Sequence, residues 1–323
     1  MIVNPDVTKK PLAATTPKPS RMQLANVKSG VIAAPLRVLI YGAEGIGKST
    51  FASGAPKPIW LGADRGTNHL DIARLPQPRD FDEVIDAVRM LRTEAHEYET
   101  LVIDPINWIE PLAWKKVCKA NGWENITTPG YGDGYKATDD IWRVLVHELE
   151  RLQDARRMNI VLVAHSDKKS DKNPDIEAFD RYVIAMYKGA AAIFRQWAEY
   201  VLFARQHVWA EAGADKQVRG KTNGARVIHT QWMPAYDAKS RPTLPATLPL
   251  SWTAFVEARA KVDPARAKDH AAELRVEVGE LLATLADEET TKKVTAYLGA
   301  TPTVAELEEV INVINLEIET KKK

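Results

Sequence analysis

The sequence predicts an α/β protein with a mainly parallel sheet, preceded by a flexible N-terminal arm and followed by a small helical module. Between residues 35 and 255, short, continuously apolar runs alternate with amphipathic helical patterns, which is typical of a parallel sheet covered on both faces. Residues 1–34 are rich in Pro, Thr and Lys and lack apolar periodicity, whereas residues 262–323 carry two apolar helical stripes. We therefore predict an arm over 1–34, a core over 35–255 and a helical module over 262–323.

The core begins with residues 36–41, an apolar run that ends at a glycine and predicts a buried strand. Further buried strands are predicted at 58–62, 101–103 and 160–164. Amphipathic helices between them are predicted by apolar residues at helical spacing, namely Phe81, Val84, Ile85, Val88 and Leu91, and then Ile141, Leu145, Leu149 and Leu152. Beyond Tyr182, the runs 200–203 and 227–230 flank a polar segment and predict a β-ribbon attached to the sheet.

The C-terminal module is predicted from its helix-start signals. Asp263 and Pro264 are typical of a cap followed by proline at the first helical position. Thr303 and Glu306 form a capping-box pattern before a second apolar stripe. Packing of the two stripes on each other or on the core is the default interpretation, and docking of a partner protein is the alternative.

Composition narrows the class of protein. The chain has no apolar run of about 18 residues and no signal-peptide pattern, so we expect neither membrane insertion nor secretion. Its single cysteine, Cys118, excludes an internal disulfide and suits a reducing cytoplasm. The 44 basic and 43 acidic residues nearly cancel, so nucleic-acid binding would require local basic patches.

Residues 42–50, GAEGIGKST, match the phosphate-loop pattern G-x-x-x-x-G-K-S/T between a predicted strand and a predicted helix. In this pattern, glycines let backbone N–H groups converge on phosphate oxygens, lysine reaches the β- and γ-phosphates, and the hydroxyl binds magnesium. The nucleotide-binding candidates are therefore Gly42, Ala43, Glu44, Gly45, Ile46, Gly47, Lys48, Ser49 and Thr50.

A magnesium ion beside Ser49 needs a carboxylate behind it. Asp104 ends the apolar run TLVI and would lie at the carboxyl end of a buried strand, the position expected in an open α/β sheet. Ser49 and Asp104 are therefore the predicted metal ligands, with ATP and Mg²⁺ as the predicted ligands of the site. The alternative is that Asp104 only begins the turn before Pro105.

Hydrolysis also requires a group that orients a water molecule toward the γ-phosphate. Asp64 follows the second predicted strand and is our candidate base, although an aspartate in a turn beside Gly66 is the alternative. His165 ends the strand NIVLVA and is a candidate sensor of the γ-phosphate, or else a structural hydrogen-bonding residue.

Taken together, these features resemble the RecA-type recombinase core. More closely, the segments YGAEGIGKSTFA, TLVIDPINWI, YGDGYK, NIVLVAHSDKK and AYDAKSRPTLP resemble phage-encoded RecA-core proteins that act as ATP-dependent single-strand annealing proteins. The resemblance covers residues 36 to about 250. It implies an ATPase that forms a ring or filament of identical subunits on single-stranded DNA and pairs complementary strands.

The resemblance also implies residue roles across a subunit boundary. In RecA-type assemblies basic residues of a neighbouring subunit reach the γ-phosphate, and Lys239 and Arg241 stand at the matching positions. A solvated basic turn is the alternative. Asp64 departs from the glutamate usual in RecA, so its shorter side chain must approach the water more closely, and ATP would then act mainly as a switch.

Two basic segments are candidates for DNA contact. SDKKSDKNPD follows His165 directly and contains Lys168, Lys169 and Lys172, whereas the predicted ribbon tip contains Lys216, Arg219, Lys221 and Arg226. Tyr131 and Tyr135, interleaved with glycines, are candidates for stacking on bases, or for covering the core. Ordinary solvated lysine-rich loops are the alternative for both basic segments.

Three classes of function remain open on the sequence. A DNA-stimulated ATPase that anneals or exchanges strands is the first, and a single-strand binding protein is the predicted partner of its helical tail. A switch whose ATP state controls protein partners without significant hydrolysis is the second. A small-molecule phosphotransferase is the third, although no arginine-bearing lid follows the phosphate loop.

Overall fold

The structure is a computed structural model that describes residues 22–23, 26–27, 34–62, 65–171, 177–212, 218–262, 264–298, 302 and 304–321. The predicted N-terminal arm lies almost entirely outside the described residues. Residues Ala33–Lys323 form one unit, and the description below concerns that unit.

A mixed sheet forms the centre of the fold. Its strands are β1 (Arg37–Gly42), β2 (Pro58–Leu61), β3 (Ala73–Arg74), β4 (Thr100–Ile103), β5 (Asn159–Asp171), β6 (Phe179–Ile184), β7 (Tyr200–Ala212), β8 (Val218–His229) and β9 (Thr247–Pro249). Their order is β3-β2-β4-β5-β1-β7-β8-β9, with β6 paired to β5. Every neighbouring pair from β3 to β7 is parallel, and the β5–β6, β7–β8 and β8–β9 pairs are antiparallel. The predicted α/β class with a mainly parallel sheet is confirmed.

Helices cover both faces of this sheet. They are α1 (Lys48–Ser53), α2 (Phe81–Thr93), α3 (Glu110–Asn121), α4 (Asp133–Arg156), α5 (Lys188–Trp197), α6 (Trp252–Val262), α7 (Pro264–Leu285), α8 (Glu288–Leu298) and α9 (Val304–Lys321). Leu39 and Tyr41 of β1 pack in the cluster formed by α2 to α5, whereas Val38 and Ile40 pack in the cluster formed by α1 and α6. Because β1 is buried on both faces, its sequence is continuously apolar.

Two antiparallel ribbons extend from the strands on either side of β1. Gly42, the last residue of β1, pairs with His165 of β5 and with Ala204 of β7. Beyond these points β5 continues with β6 as the β5–β6 hairpin (166–171 with 179–184), and β7 continues with β8 as the β7–β8 ribbon (203–212 with 218–229). The segment after His165, which the sequence presents as a lysine-rich loop, is therefore a paired strand up to Asp171.

The C-terminal helices have an apolar cluster of their own. Leu274 and Val278 of α7, Val294 of α8 and Leu307 of α9 meet in it. Two helices were predicted here, and the described residues after 263 form three, because α8 has a short apolar stripe that the sequence pattern does not separate from its neighbours. The predicted caps Asp263 and Thr303 lie outside the described residues, and the predicted division into core and module stays a prediction. Within the described ranges, no helix is long and apolar enough to cross a bilayer.

Candidate nucleotide site

The predicted phosphate loop joins β1 to α1 and has the backbone that its glycines allow. Gly45 and Gly47 have φ values of 71° and 107°, a region that residues with a side chain rarely adopt. Gly47 is the N-cap of α1, so the N–H groups of the first helical turn open toward the loop. Between them, Ile46 is buried among the α1-side core residues and anchors the loop.

Gly42 is required for close packing at the start of this loop. A Cβ atom on Gly42 would lie 2.2 Å from the carbonyl oxygen of Ala204 in β7. The two strands therefore approach each other where the chain leaves the sheet, and the loop begins at a position fixed by backbone contact.

Lys48 lies inside the loop. Its side chain is buried, and Nζ donates to the carbonyl oxygens of Gly42 at 3.0 Å and Ala43 at 2.7 Å. Burial lowers the pKa of Lys48, and the nearby carboxylates of Asp104 and Glu44 oppose that shift. The ammonium group is thus held at the mouth of the loop, where a phosphate chain would meet it.

Ser49 and Asp104 meet as predicted. Ser49 Oγ donates to Asp104 Oδ2 at 2.6 Å, and the Trp60 indole N–H lies 3.5 Å from the same oxygen. Asp104 is buried and directly follows β4, which is separated from β1 by β5. A hydroxyl and a carboxylate beside a phosphate loop are the protein oxygens that Mg²⁺ uses together with substrate phosphates. The residues present therefore fit a nucleotide-bound magnesium ion, with Ser49 and Asp104 as its protein ligands.

His165 belongs to β5, the strand between β1 and β4, and so lies between the phosphate loop and Asp104. Asn107 fixes the backbone of His165. The Asn107 side chain accepts a hydrogen bond from His165 N at 2.8 Å and donates one to the carbonyl oxygen of Ala185. The Ala185 N–H donates to His165 O at 2.9 Å. Asn107 thereby joins the segment after Asp104 to β5 and to the residue that follows β6. The sequence analysis missed Asn107, although a lone amide in the apolar run PINWI was a usable signal.

With this geometry in place, comparison with known proteins gives the family. The model of the AAA domain matches residues 34–242, more than half of the chain. The chain belongs to the AAA domain family. Among solved structures it is similar to the crystal structure of the RadB recombinase, with 13% sequence identity, 62% of this chain and 82% of that chain covered, and a TM-score of 0.34. No curated protein matches the sequence.

The AAA domain is a nucleotide-binding P-loop NTPase domain, and the β1–α1 loop is its phosphate loop. Three predicted site residues, Asp64, Lys172 and Lys216, lie outside the described residues, so their roles stay predictions. Arg219 and Lys221 lie on β8, where their backbones pair with Glu211 and Trp209 in the outer part of the ribbon.

Lys239 has a partner within its own chain. Its Nζ donates to the carbonyl oxygens of Arg195 at 2.7 Å and Gln196 at 3.3 Å, where a lysine complements the C-terminal end of α5. Its backbone pairs with Val201, and Val201 pairs with Leu39 in the middle of β1. Lys239 is therefore three residues away from the level of Gly42, where the phosphate loop begins. Burial and the nearby Arg241 and Arg195 side chains lower the pKa of Lys239. Arg241 is exposed. A role of Lys239 and Arg241 at a neighbouring subunit's nucleotide stays a prediction.

The hairpin lysines are exposed, as a DNA contact would need. Lys168 and Lys169 are consecutive strand residues and so project from opposite faces of the β5–β6 hairpin. Lys168 Nζ lies 5.4 Å from the centroid of the Tyr182 ring, a cation–π distance. Each face of the hairpin therefore has one lysine available to solvent.

The two tyrosines differ in their surroundings. Tyr131 is fully exposed in the turn before α4. Tyr135 lies within α4, where it stacks on Tyr187 with ring centroids 4.3 Å apart and contacts Trp114 edge to face at 5.4 Å. These contacts favour the alternative that Tyr135 covers the core, because its ring face is already used. Tyr131 alone has a free ring for stacking on a base.

Arg226 is not at the tip of the β7–β8 ribbon, where the sequence pattern put it. It pairs with Gln206 at the ribbon base, two residues beyond the Ala204 that adjoins Gly42. Its guanidinium lies over the phosphate loop, with Nη1 3.1 Å from the position that a Cβ atom on Gly47 would occupy. The sequence analysis ended the two strands at 203 and 227, whereas the paired ribbon continues to 212 and 218, so its tip lies well beyond Arg226.

Proposed function

We propose that this AAA domain is a magnesium-dependent ATPase that single-stranded DNA stimulates and that promotes annealing or exchange of complementary strands in phage recombination. The observation that carries the proposal is the path of β5. This strand adjoins the phosphate loop at His165 and continues directly into a hairpin with exposed lysines. A change at the γ-phosphate thus has a short covalent route to the exposed Lys168 and Lys169.

For the nucleotide step, the loop amides and Lys48 would bind the phosphates. Ser49 and Asp104 would hold Mg²⁺, which neutralises charge on the phosphoryl oxygens during transfer. We assign Asp64 the orientation of the attacking water. Lys239 and Arg241 are proposed to approach the nucleotide of an adjacent subunit in a ring or filament, and moving Lys239 there would require it to leave the α5 carbonyls.

For the DNA step, Lys168 and Lys169 are the main phosphate contacts in the proposal, joined by Lys172, Lys216, Arg219 and Lys221. Within the hairpin, Arg181 is already paired with Asp171 at 3.1 Å and with Asp237 at 2.8 Å. Pairing of Arg181 leaves Lys168 and Lys169 as the positive charges of β5 and β6 that DNA can reach, beside the exposed carboxylates of Asp167 and Asp180. Tyr131 is the proposed stacking residue.

The first experiment measures ATP hydrolysis with and without single-stranded DNA, with annealing of complementary oligonucleotides followed in parallel. Lys48→Ala serves as the blank. Asp104→Asn keeps the size of the side chain but removes the metal-binding charge, so we expect hydrolysis to fall on the order of a hundredfold. Stimulation by DNA in the wild type and its loss in both variants would support coupling between DNA binding and ATP hydrolysis.

Other outcomes of this experiment select another function. Nucleotide binding without stimulation or annealing would favour an ATP-dependent switch that acts on protein partners. Transfer of labelled phosphate from ATP to a nucleoside monophosphate would favour the phosphotransferase. No nucleotide binding in the wild type would contradict the proposal as a whole.

The helical tail is proposed to bind a single-strand binding protein. Its supporting observation is that α7, α8 and α9 bury their apolar residues in a cluster of their own, while Leu316 of α9 stays exposed. A chain ending at Val262 should lose co-elution with that protein and keep ATP binding. Retained co-elution would exclude the tail as the docking site.

A further inference from the structure

Regular pairing with β7 sets the position of Arg226, because residues 203–206 pair with 229–226 without a break and a bulge in β8 follows on the tip side. Arg226 pairs with Gln206 and Thr222 with Val208, so three residues of β8, 223–225, oppose the single residue between Gln206 and Val208. The extra residues form a compact turn in which Gly224 has φ 77°. Thr222 Oγ1 accepts from Gly224 N at 3.1 Å, and Asn223 Oδ1 accepts from Ala225 N at 3.0 Å.

Strand alternation directs Arg226 toward the α1 side of the sheet. Alternate strand residues share a face, so Arg226 faces the same way as Ile228, which packs with Phe51 of α1. The Arg226 carbonyl oxygen accepts from Leu250 N at 3.0 Å, which fixes the backbone from the other edge of β8. Leu250 Cδ2 lies 3.4 Å from the Cβ position of Gly47, so Arg226 and Leu250 flank the same glycine.

The guanidinium is exposed and has donors to offer. Within the part of the chain that the structure describes, Arg226 makes no side-chain hydrogen bond or ion pair. An arginine held beside a phosphate loop is suited to phosphate because its planar fork matches two phosphate oxygens. A side chain at Gly47 would crowd Nη1, so the glycine also keeps the space that the guanidinium uses.

We propose that Arg226 is a nucleotide-binding residue of its own subunit that contacts the α- and β-phosphates. The assignment of these phosphates follows from Gly47, because the backbone of a phosphate loop cradles the α- and β-phosphates. The inference rests on the nucleotide binding in the proposed function and removes Arg226 from the DNA-binding set. It differs from the roles of Lys239 and Arg241, which require a neighbouring subunit.

The test measures ATP and ADP affinity of the full chain by isothermal titration calorimetry without DNA. Arg226→Ala should weaken both nucleotides about tenfold, the loss expected for one charge-assisted contact. Arg226→Lys should restore part of the affinity, since it keeps the charge but not the fork. Arg143→Ala, an exposed arginine on α4 across the sheet, is the matched control and should bind like the wild type.

The outcomes separate this inference from the proposed function. If the wild type binds, Lys48→Ala does not, and Arg226→Ala matches the wild type, then the inference is wrong and the proposed function stands. Loss of single-stranded DNA affinity in Arg226→Ala with unchanged nucleotide affinity would return the residue to the DNA surface. Unfolding midpoints of Arg226→Ala, Arg226→Lys and Arg143→Ala without nucleotide should match the wild type, because an exposed substitution changes stability little.

A mixing experiment tests whether Arg226 acts within its own chain. Lys48→Ala and Arg226→Ala proteins are combined in equal amounts, so that no single chain has both residues. A site built from one chain predicts that the mixture binds nucleotide as the average of the two variants. If Arg226 instead reached a neighbouring subunit, some Arg226→Ala chains would receive the arginine of an adjacent Lys48→Ala chain. A fraction of sites with wild-type affinity would therefore overturn the assignment to its own subunit.

Discussion

The two ribbons that flank β1 leave the same edge of the sheet but connect to different parts of the nucleotide site. The β5–β6 hairpin is joined through Asn107 to the segment after Asp104, the metal side of the site. The β7–β8 ribbon touches Gly42 and brings Arg226 over Gly47, the phosphate side. In the proposed function, the β5–β6 hairpin would pass the state of the metal and γ-phosphate to DNA, and the β7–β8 ribbon would hold the nucleotide.

The difference also appears in how each ribbon base is built. The base of the hairpin is a set of directional hydrogen bonds among Asn107, His165 and Ala185, which can exchange partners. The base of the β7–β8 ribbon is backbone packing of Ala204 against Gly42, which allows little adjustment. We infer that the hairpin is the part that changes and the ribbon the part that stays fixed.

The largest expected effect comes from Gly42→Ala, which tests the packing at the base of the β7–β8 ribbon. The added Cβ would lie 2.2 Å from the Ala204 carbonyl oxygen, so the two strands would have to separate. Overpacking of this kind should lower the free energy of unfolding by about 3 kcal/mol. Urea unfolding without nucleotide, followed by tryptophan fluorescence, measures the loss.

Gly45→Ala is the matched control for this substitution. Gly45 has φ 71° but nothing within 4 Å of its Cβ position, so only the backbone conformation is penalised, by about 1 kcal/mol. Equal destabilisation by the two substitutions would mean that the Gly42–Ala204 contact adjusts easily, and the contrast between the ribbons would fail.

The sequence predicted the elements whose residues are adjacent in the chain. The phosphate loop, the strand before it and the aspartate at the end of an apolar run all follow from local pattern, and the structure brings Ser49 to Asp104 as expected. It did not predict what depends on strand register. Arg226 is distant from Gly47 in sequence, and the antiparallel register of β8 on β7 brings them together.

The same limit explains the lysine segment and the tyrosines. Residues 166–171 are polar and have no apolar alternation, yet they form a strand because main-chain pairing with β6 does not require apolar side chains. Tyr135 lies on a helix that begins at Asp133, although glycines at 132 and 134 suggested a loop. Gly134 is needed there because a Cβ would lie 1.9 Å from the Ile126 carbonyl oxygen.

The next effect in size tests the DNA surface of the hairpin. Lys168→Ala with Lys169→Ala should weaken single-stranded DNA binding about tenfold at moderate salt. The slope of log affinity against log salt should fall by roughly 1.4, since each lost phosphate contact contributes about 0.7 on a single strand. Fluorescence anisotropy with a labelled oligonucleotide at several salt concentrations gives both quantities.

Lys292→Ala with Lys293→Ala provides the control for the DNA measurement. These are also consecutive, exposed lysines, but they lie on α8 of the C-terminal helices. This pair should leave affinity and slope unchanged. If the hairpin pair behaves like the α8 pair, the hairpin is not the DNA surface.

A smaller effect is expected from Asn107→Asp, which tests the hydrogen bonds at the base of the β5–β6 hairpin. The aspartate can still accept from His165 N but cannot donate to the Ala185 carbonyl oxygen, so one of the two side-chain hydrogen bonds is lost. We expect DNA stimulation of hydrolysis to fall about threefold, with nucleotide affinity retained, because an altered hydrogen bond contributes about 0.5 to 1.5 kcal/mol. Unchanged stimulation together with unchanged stability would mean that Asn107 does not connect the two sites.

The last prediction concerns pH at the base of the β7–β8 ribbon. Burial, with the nearby Arg205 and His207 side chains, lowers the pKa of His229 to about 4. The unfolded chain, with a histidine pKa near 6.5, therefore binds more protons than the folded chain between pH 6.5 and 4. The stability contributed by neutral His229 is present above pH 6.5 and is lost as the pH falls toward 4. Because the ring is only half-buried, solvent screening should limit the loss to about 1 kcal/mol.

Urea unfolding at pH 7.5 and 5 should show this difference in the wild type and a smaller one in His229→Gln. Identical pH dependence in the two proteins would mean that the ribbon base does not depend on neutral His229.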